Sequence, residues 1–97
     1  MKPALLFSLL ISFSVFADCN REAQFVGTVK NLKIYSTHFT FQVQLGRWFQ
    51  PSGVCPMWEL ELEEAVVKIE GIPAITEGDE ISGVMVFDVN SGEYKID

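Results

Sequence analysis

Residues 44–60 read QLGRWFQPSGVCPMWEL. This stretch gathers Trp48 and Trp58 with Phe49, Arg47, Cys55 and two prolines. Tryptophan and arginine are the residue types enriched where proteins bind partners. Aromatic rings also stack well on sugar faces. The chemistry offered is recognition rather than bond breaking. Arg47, Trp48 and Phe49, with Ser52, Gly53 and Val54 beside them, are therefore the candidate ligand- or partner-binding residues. The segment between Pro51 and Pro56 reads as a constrained loop held at Cys55. A rigid loop lowers the entropic cost of binding. Small protease inhibitors present segments on loops of this generic kind.

Other chemistries find less support. His38 is the sole histidine, and zinc sites use three or four histidine or thiolate-type ligands. A serine nucleophile would have to pair His38 with Ser36 or Ser52, and there is no G-x-S-x-G elbow. Glu59, Glu61 and Glu63 alternate as a strand-face row would. Paired carboxylates serve glycosidases and carboxylate rows hold calcium, but both need convergent oxygens that a flat strand face lacks. The EGDE run at 77–80 does not fit the D-x-D-x-D-G spacing of a calcium loop. The sequence thus predicts no catalytic residues, no metal ligands and no cofactor.

Cys19 and Cys55 are the only cysteines. They follow a stretch of chain that reads as an export signal. Residues 1–17, MKPALLFSLLISFSVFA, have a basic Lys2, an apolar run from Ala4 to Val15, and small residues at Val15 and Ala17. That is the pattern of a cleaved signal peptide, and the run is too short for a transmembrane helix of about 20 residues. Asp18 before Cys19 argues against a lipid anchor. An exported chain with an even cysteine count predicts a Cys19–Cys55 disulfide. The expected location is a bacterial periplasm or the extracellular space, with no membrane insertion of residues 18–97.

Loss of Lys2 leaves six basic residues against thirteen acidic ones, a net charge of −7. An acidic domain of this size repels nucleic-acid phosphates and anionic membranes. The partners expected are instead a protein or an envelope glycan. Two readings compete with a binding module: an accessory envelope protein with no dedicated ligand, and a small protease-inhibitor-like protein.

The elements that must position these residues read as strands. In AQFVGTVKNLKIY, Phe25, Val29, Leu32 and Ile34 are apolar anchors, and Gly27 marks a bend or a close backbone approach. In HFTFQVQL, Phe39, Phe41, Val43 and Leu45 alternate with polar residues, so one face is buried. Continued alternation sends Arg47 and Phe49 inward and Trp48 outward. A bulge at Gly46 would instead turn Trp48 in and Arg47 out, with Trp48 packing over the barrel end. The strand ending near Leu45 is a third possibility. Trp58, Leu60 and Leu62 alternate as a third strand, which places Trp58 in the core. A slip in phase near Glu63–Glu64 predicts a bulge there, or a short helical turn, since LEEAVVK has good helix formers. GIPAITEGDE is a Gly/Pro-marked break. ISGVMVFDV is a covered strand, NSG at 90–92 a tight turn, and EYKID a short final strand.

Five strands, a glycine-bent first strand and a break before the fourth resemble an OB-type fold. The expected architecture is thus all-β: a small, partly open five-stranded barrel with one disulfide, forming one domain over residues 18–97. OB-type nucleic-acid binders carry aromatic and basic residues on the face of strands two and three. With the glutamate row assigned to strand three, that face reads as neutral and acidic, so the resemblance does not extend to nucleic acid.

Overall fold

The computed structural model describes residues 19–97. The expected signal segment, residues 1–17, lies outside them. Two long strands, β1 (Arg21–Ile34) and β2 (His38–Pro51), form an antiparallel hairpin. Then follow α1 (Glu59–Glu64), β3 (Val67–Glu70), β4 (Glu80–Asp88) and β5 (Glu93–Ile96). β4 pairs with the free edge of β1, and β5 pairs with β4. β3 pairs with β2, and a parallel contact between Val67 and Tyr94 joins β3 to β5. The strands therefore close into a ring in the order β1-β2-β3-β5-β4. This is the five-stranded OB-like architecture that the sequence predicts. Within the break at 71–79 there is no helix; the short helix lies between β2 and β3 instead.

Alternation builds the core. Phe25 and Val29 of β1 and Phe39, Phe41 and Val43 of β2 point inward and are buried, together with Val67 and Met85. Gly27 sits where the hairpin closes most tightly. A Cβ there would lie 2.5 Å from the Gln44 carbonyl oxygen and 2.7 Å from Val43 Cγ1, so only hydrogen fits.

Two irregularities interrupt the hairpin register. Between the Val26–Trp48 and Gly27–Leu45 pairs, β2 carries two extra residues, Gly46 and Arg47. Two extra residues preserve parity, where the single-residue bulge considered above would have reversed it. Phe49 therefore points inward against the core, and Trp48 points out. The second irregularity lies between Lys30 and Lys33, where Asn31 adopts a left-handed backbone (φ 55°). The Glu77 carboxylate accepts hydrogen bonds from the Asn31 and Leu32 amides at 3.0 and 2.9 Å. The break before β4 is thus pinned onto β1, and Gly78 N–H donating to Val29 O adds to the hold.

The third strand is shorter than the alternation suggests. Residues 59–64, ELELEE, contain no β-branched side chain and form a helix; the β-branched run begins at Val66. The helix buries Leu62 and, one turn on, Ala65, with Met57 just before it fully enclosed. Trp58 is its N-terminal flanking residue and is 61% exposed, so it is not a core residue. Where a longer β3 would have paired with β2, the helix supplies partners. Leu45 N–H donates to Glu63 Oε2 at 2.8 Å, and Gln42 Nε2 donates to the Glu64 carbonyl at 3.0 Å. Glu59, Glu61 and Glu63 therefore form no row on a strand face.

The Cys19–Cys55 disulfide is present, with a Cα separation of 6.2 Å. It ties the start of β1 to the loop after β2. Glu22 binds that loop through its backbone: its N–H donates to Cys55 O, and its carbonyl accepts from Ser52 and Met57.

Candidate functional site

On the outer face of the β2-β1-β4 surface, cross-strand pairing sets side chains in rows. Trp48, Val26 and Ser82 form one row; Gln50, Gln24 and Val84 form the next. Beyond them lies an open groove of about 290 Å³, lined by Glu22, Gln24, Gln50, Pro51, Ser52, Gly53 and Val84, with the backbone of Ala23. Trp48 precedes Gln50 by two residues on the same face, about 7 Å along the strand. Its side chain is 49% exposed. An exposed indole therefore stands one row away, on the same face, from a groove furnished with two amides, a carboxylate and a serine. A second recess, about 480 Å³, lies across the 52–55 loop and shares Glu22 and Ser52. Its remaining wall includes Asn20, Val54 and Val89.

The six candidate residues separate. Trp48 faces solvent, and Ser52 and Gly53 line the groove. Ser52 Oγ accepts from the Val54 and Cys55 amides at 3.1 and 3.4 Å, which shapes the loop. Val54 stands at its tip, 87% exposed. Arg47 reaches across to Glu80 Oε1 at 3.2 Å. Both groups are exposed, and such a pair stabilises little. Phe49 is partly buried and packs against the core. Glu22, Gln24 and Gln50 were not among the expected residues. Their outward parity follows from Ala23 and Phe25 pointing inward on β1, so carrying that alternation back by three residues finds two of them.

A polar network stands at the same end of the ring but serves structure. Glu61 of α1 accepts from Arg21 Nε at 3.0 Å, from Arg21 Nη2 at 2.7 Å and from the Tyr94 hydroxyl at 2.8 Å. The Arg21 guanidinium lies 4.5 Å over the Phe87 ring, and Phe87 packs against Tyr94. The hydrogen bonds from Arg21 hold the Glu61 carboxyl below its ordinary range, against an opposing effect of burial. Partial burial and the bond to Glu61 push the Tyr94 hydroxyl up. Four elements are joined here.

His38 lies half-buried on β2, stacked on Tyr35 at 4.7 Å, with Nδ1 3.1 Å from Thr37 Oγ1. Among the described residues, no three histidine, cysteine or acidic side chains converge as a metal site would need. No known protein family, curated protein or solved structure matches the chain.

Proposed function

We propose that this protein is an exported, non-enzymatic binding module whose ligand is a glycan of the cell envelope. One observation carries the reading. A half-exposed tryptophan stands one side-chain row from an open groove whose walls hold Gln24, Gln50, Glu22 and Ser52. Sugars present apolar C–H faces and hydroxyl edges. An indole matches the first, and amide and carboxylate groups match the second because they offer both donors and acceptors. The groove is open to solvent, which suits a chain more than a small buried molecule. Export and the periplasmic or extracellular location rest on residues 1–17 and on the disulfide, which persists in oxidising compartments.

The test is binding of the purified protein to an array of envelope polysaccharides, repeated with Trp48→Ala. Wild-type binding that weakens at least tenfold in Trp48→Ala, about 1.4 kcal/mol, supports the module. Binding unchanged by Trp48→Ala, or absent throughout, rejects it.

A second reading has its own observation. Val54 projects from a loop held by the disulfide and by three backbone hydrogen bonds to Glu22. Such a tip fits a protein cleft, as in inhibitor-like proteins. Capture of a partner protein that Val54→Asp abolishes, with Trp48→Ala silent, would favour it.

A further inference from the structure

The outer face of the β1–β2 hairpin continues past Trp48. Thr28 lies opposite Gln44, Lys30 opposite Gln42, and Lys33 opposite Thr40. On the other side of Thr40 stands Lys68 of β3. Two strand spacings set Lys33 and Lys68 about 10 Å apart at the backbone. A groove of about 330 Å³ opens here, walled by Asn31, Lys33, Thr40, Gln42 and Val66 beside the Phe41 backbone. Asn31 Nδ2 donates to Gln42 Oε1 at 2.7 Å, which orients both amides.

The charges are distributed unevenly. Six basic residues lie in the described chain. Arg21 and Arg47 are ion-paired with Glu61 and Glu80. Among the described residues, Lys30, Lys33 and Lys68 have no ion pair and share this one face, while the sixth, Lys95, lies on β5. Among nearby carboxylates, Glu77 is turned onto the Asn31 and Leu32 amides, Glu70 lies opposite His38 at the end of β3, Glu80 lies opposite Thr28 and is paired with Arg47, and Glu64 adjoins Gln42 through its backbone carbonyl. Screening over about 8 Å at physiological salt makes this local cluster, not the net charge, the field a bound chain would meet.

We propose that the glycan is anionic, with carboxylates carried along an extended chain. Its neutral faces lie on the Trp48 groove, and its acid groups lie on Lys30, Lys33 and Lys68. From Gln24 to Lys33 the strand runs about 30 Å at about 3.3 Å per residue, room for several sugar units. The inference rests on the glycan reading above. Single-stranded nucleic acid fits less well, because its binders interleave several aromatic platforms with basic groups. Here Trp48 and the Tyr35–His38 stack lie at opposite ends of the track.

The test titrates the protein with polymannuronate, polyguluronate and polygalacturonate oligomers, their carboxyl-reduced neutral forms, and oligothymidylate. Wild type, Trp48→Ala and Lys30→Gln/Lys33→Gln/Lys68→Gln are compared by calorimetry at low and high salt, with circular dichroism confirming the fold. The expected result is at least tenfold preference for one uronate over its neutral form. That preference is lost in the triple variant and at high salt, and Trp48→Ala weakens both forms. Neutral oligomers bound as tightly as uronates, with the lysine variant silent, overturn the anionic inference and leave the glycan reading standing. No binding of any oligomer overturns both. Lysine-dependent binding that ignores Trp48 overturns the single track, and oligothymidylate bound as tightly as the uronates overturns the glycan in favour of nucleic acid.

Discussion

Trp48 and Glu61 show how different jobs fall to single residues in the same small ring. Trp48 is outward because two extra residues in β2 keep the parity of Phe49 inward. In a Trp58→Phe variant, acrylamide should quench most of the remaining Trp48 emission; a protected indole would contradict its place on the outer face. Glu61 is structural, and its titration has a definite sign. Its carboxyl is held below the ordinary value by Arg21, so the folded state binds its proton later than the unfolded chain does. That contribution is complete above the unfolded value of about 4.3 and is lost as pH falls through the lower folded value. Glu61→Gln should therefore cost about 1 kcal/mol near pH 7, and less as the solution is acidified below pH 4. Urea unfolding of both proteins across pH 3–7 measures this. A gap that stays constant with pH would contradict the assigned role.

At the scale of elements, the hairpin and the helix support one another. Gly27→Ala should cost about 1–3 kcal/mol, because a methyl meets backbone at 2.5 Å in a packed core. Thermal unfolding checks it, with an expected loss of several degrees. Glu63→Ala should cost about 1–2 kcal/mol by leaving the part-buried Leu45 amide without its acceptor. A Glu63→Gln variant, which keeps an acceptor, should recover most of the loss in the same melt. The hairpin was legible in the sequence because period-two alternation in HFTFQVQL directly reports a face. The helix was legible only as the alternative to a bulge at LEEAVVK, because ELELEE alternates apolar and charged residues while also being made of helix formers. Tertiary packing decided it: Met57, Leu62 and Ala65 fill the core only if the chain coils. The misplaced strand hid the lysine face as well, since it assigned the glutamates to strand three where Lys68 and Glu70 belong. Arg47, Trp48 and the 52–54 loop could be chosen by residue type. Gln24 and Gln50 could not, since only cross-strand register brings them together.

Across the whole molecule, a disulfide spanning 36 residues holds the groove end of a domain too small for a large core. The loop-entropy relation gives about 4 kcal/mol for a loop of this length. Cys19→Ser/Cys55→Ser should lower stability on that scale and loosen the 52–55 loop first, because Glu22 is then its only anchor. Hydrogen exchange at Met57 and Ser52 amides reads this directly. The ring thereby offers a stapled end bearing a groove and an outer face running from Trp48 to the lysines. The proposed binding puts a glycan chain on this outer face. Amide and indole NMR signals recorded during titration with the best oligosaccharide from the array test it most directly. A chain bound there shifts the Trp48 indole N–H and the Gln24 and Gln50 side-chain amides, extending along β1 towards Lys33. Shifts confined to the Val54 loop, or to core amides such as Val43, would contradict it.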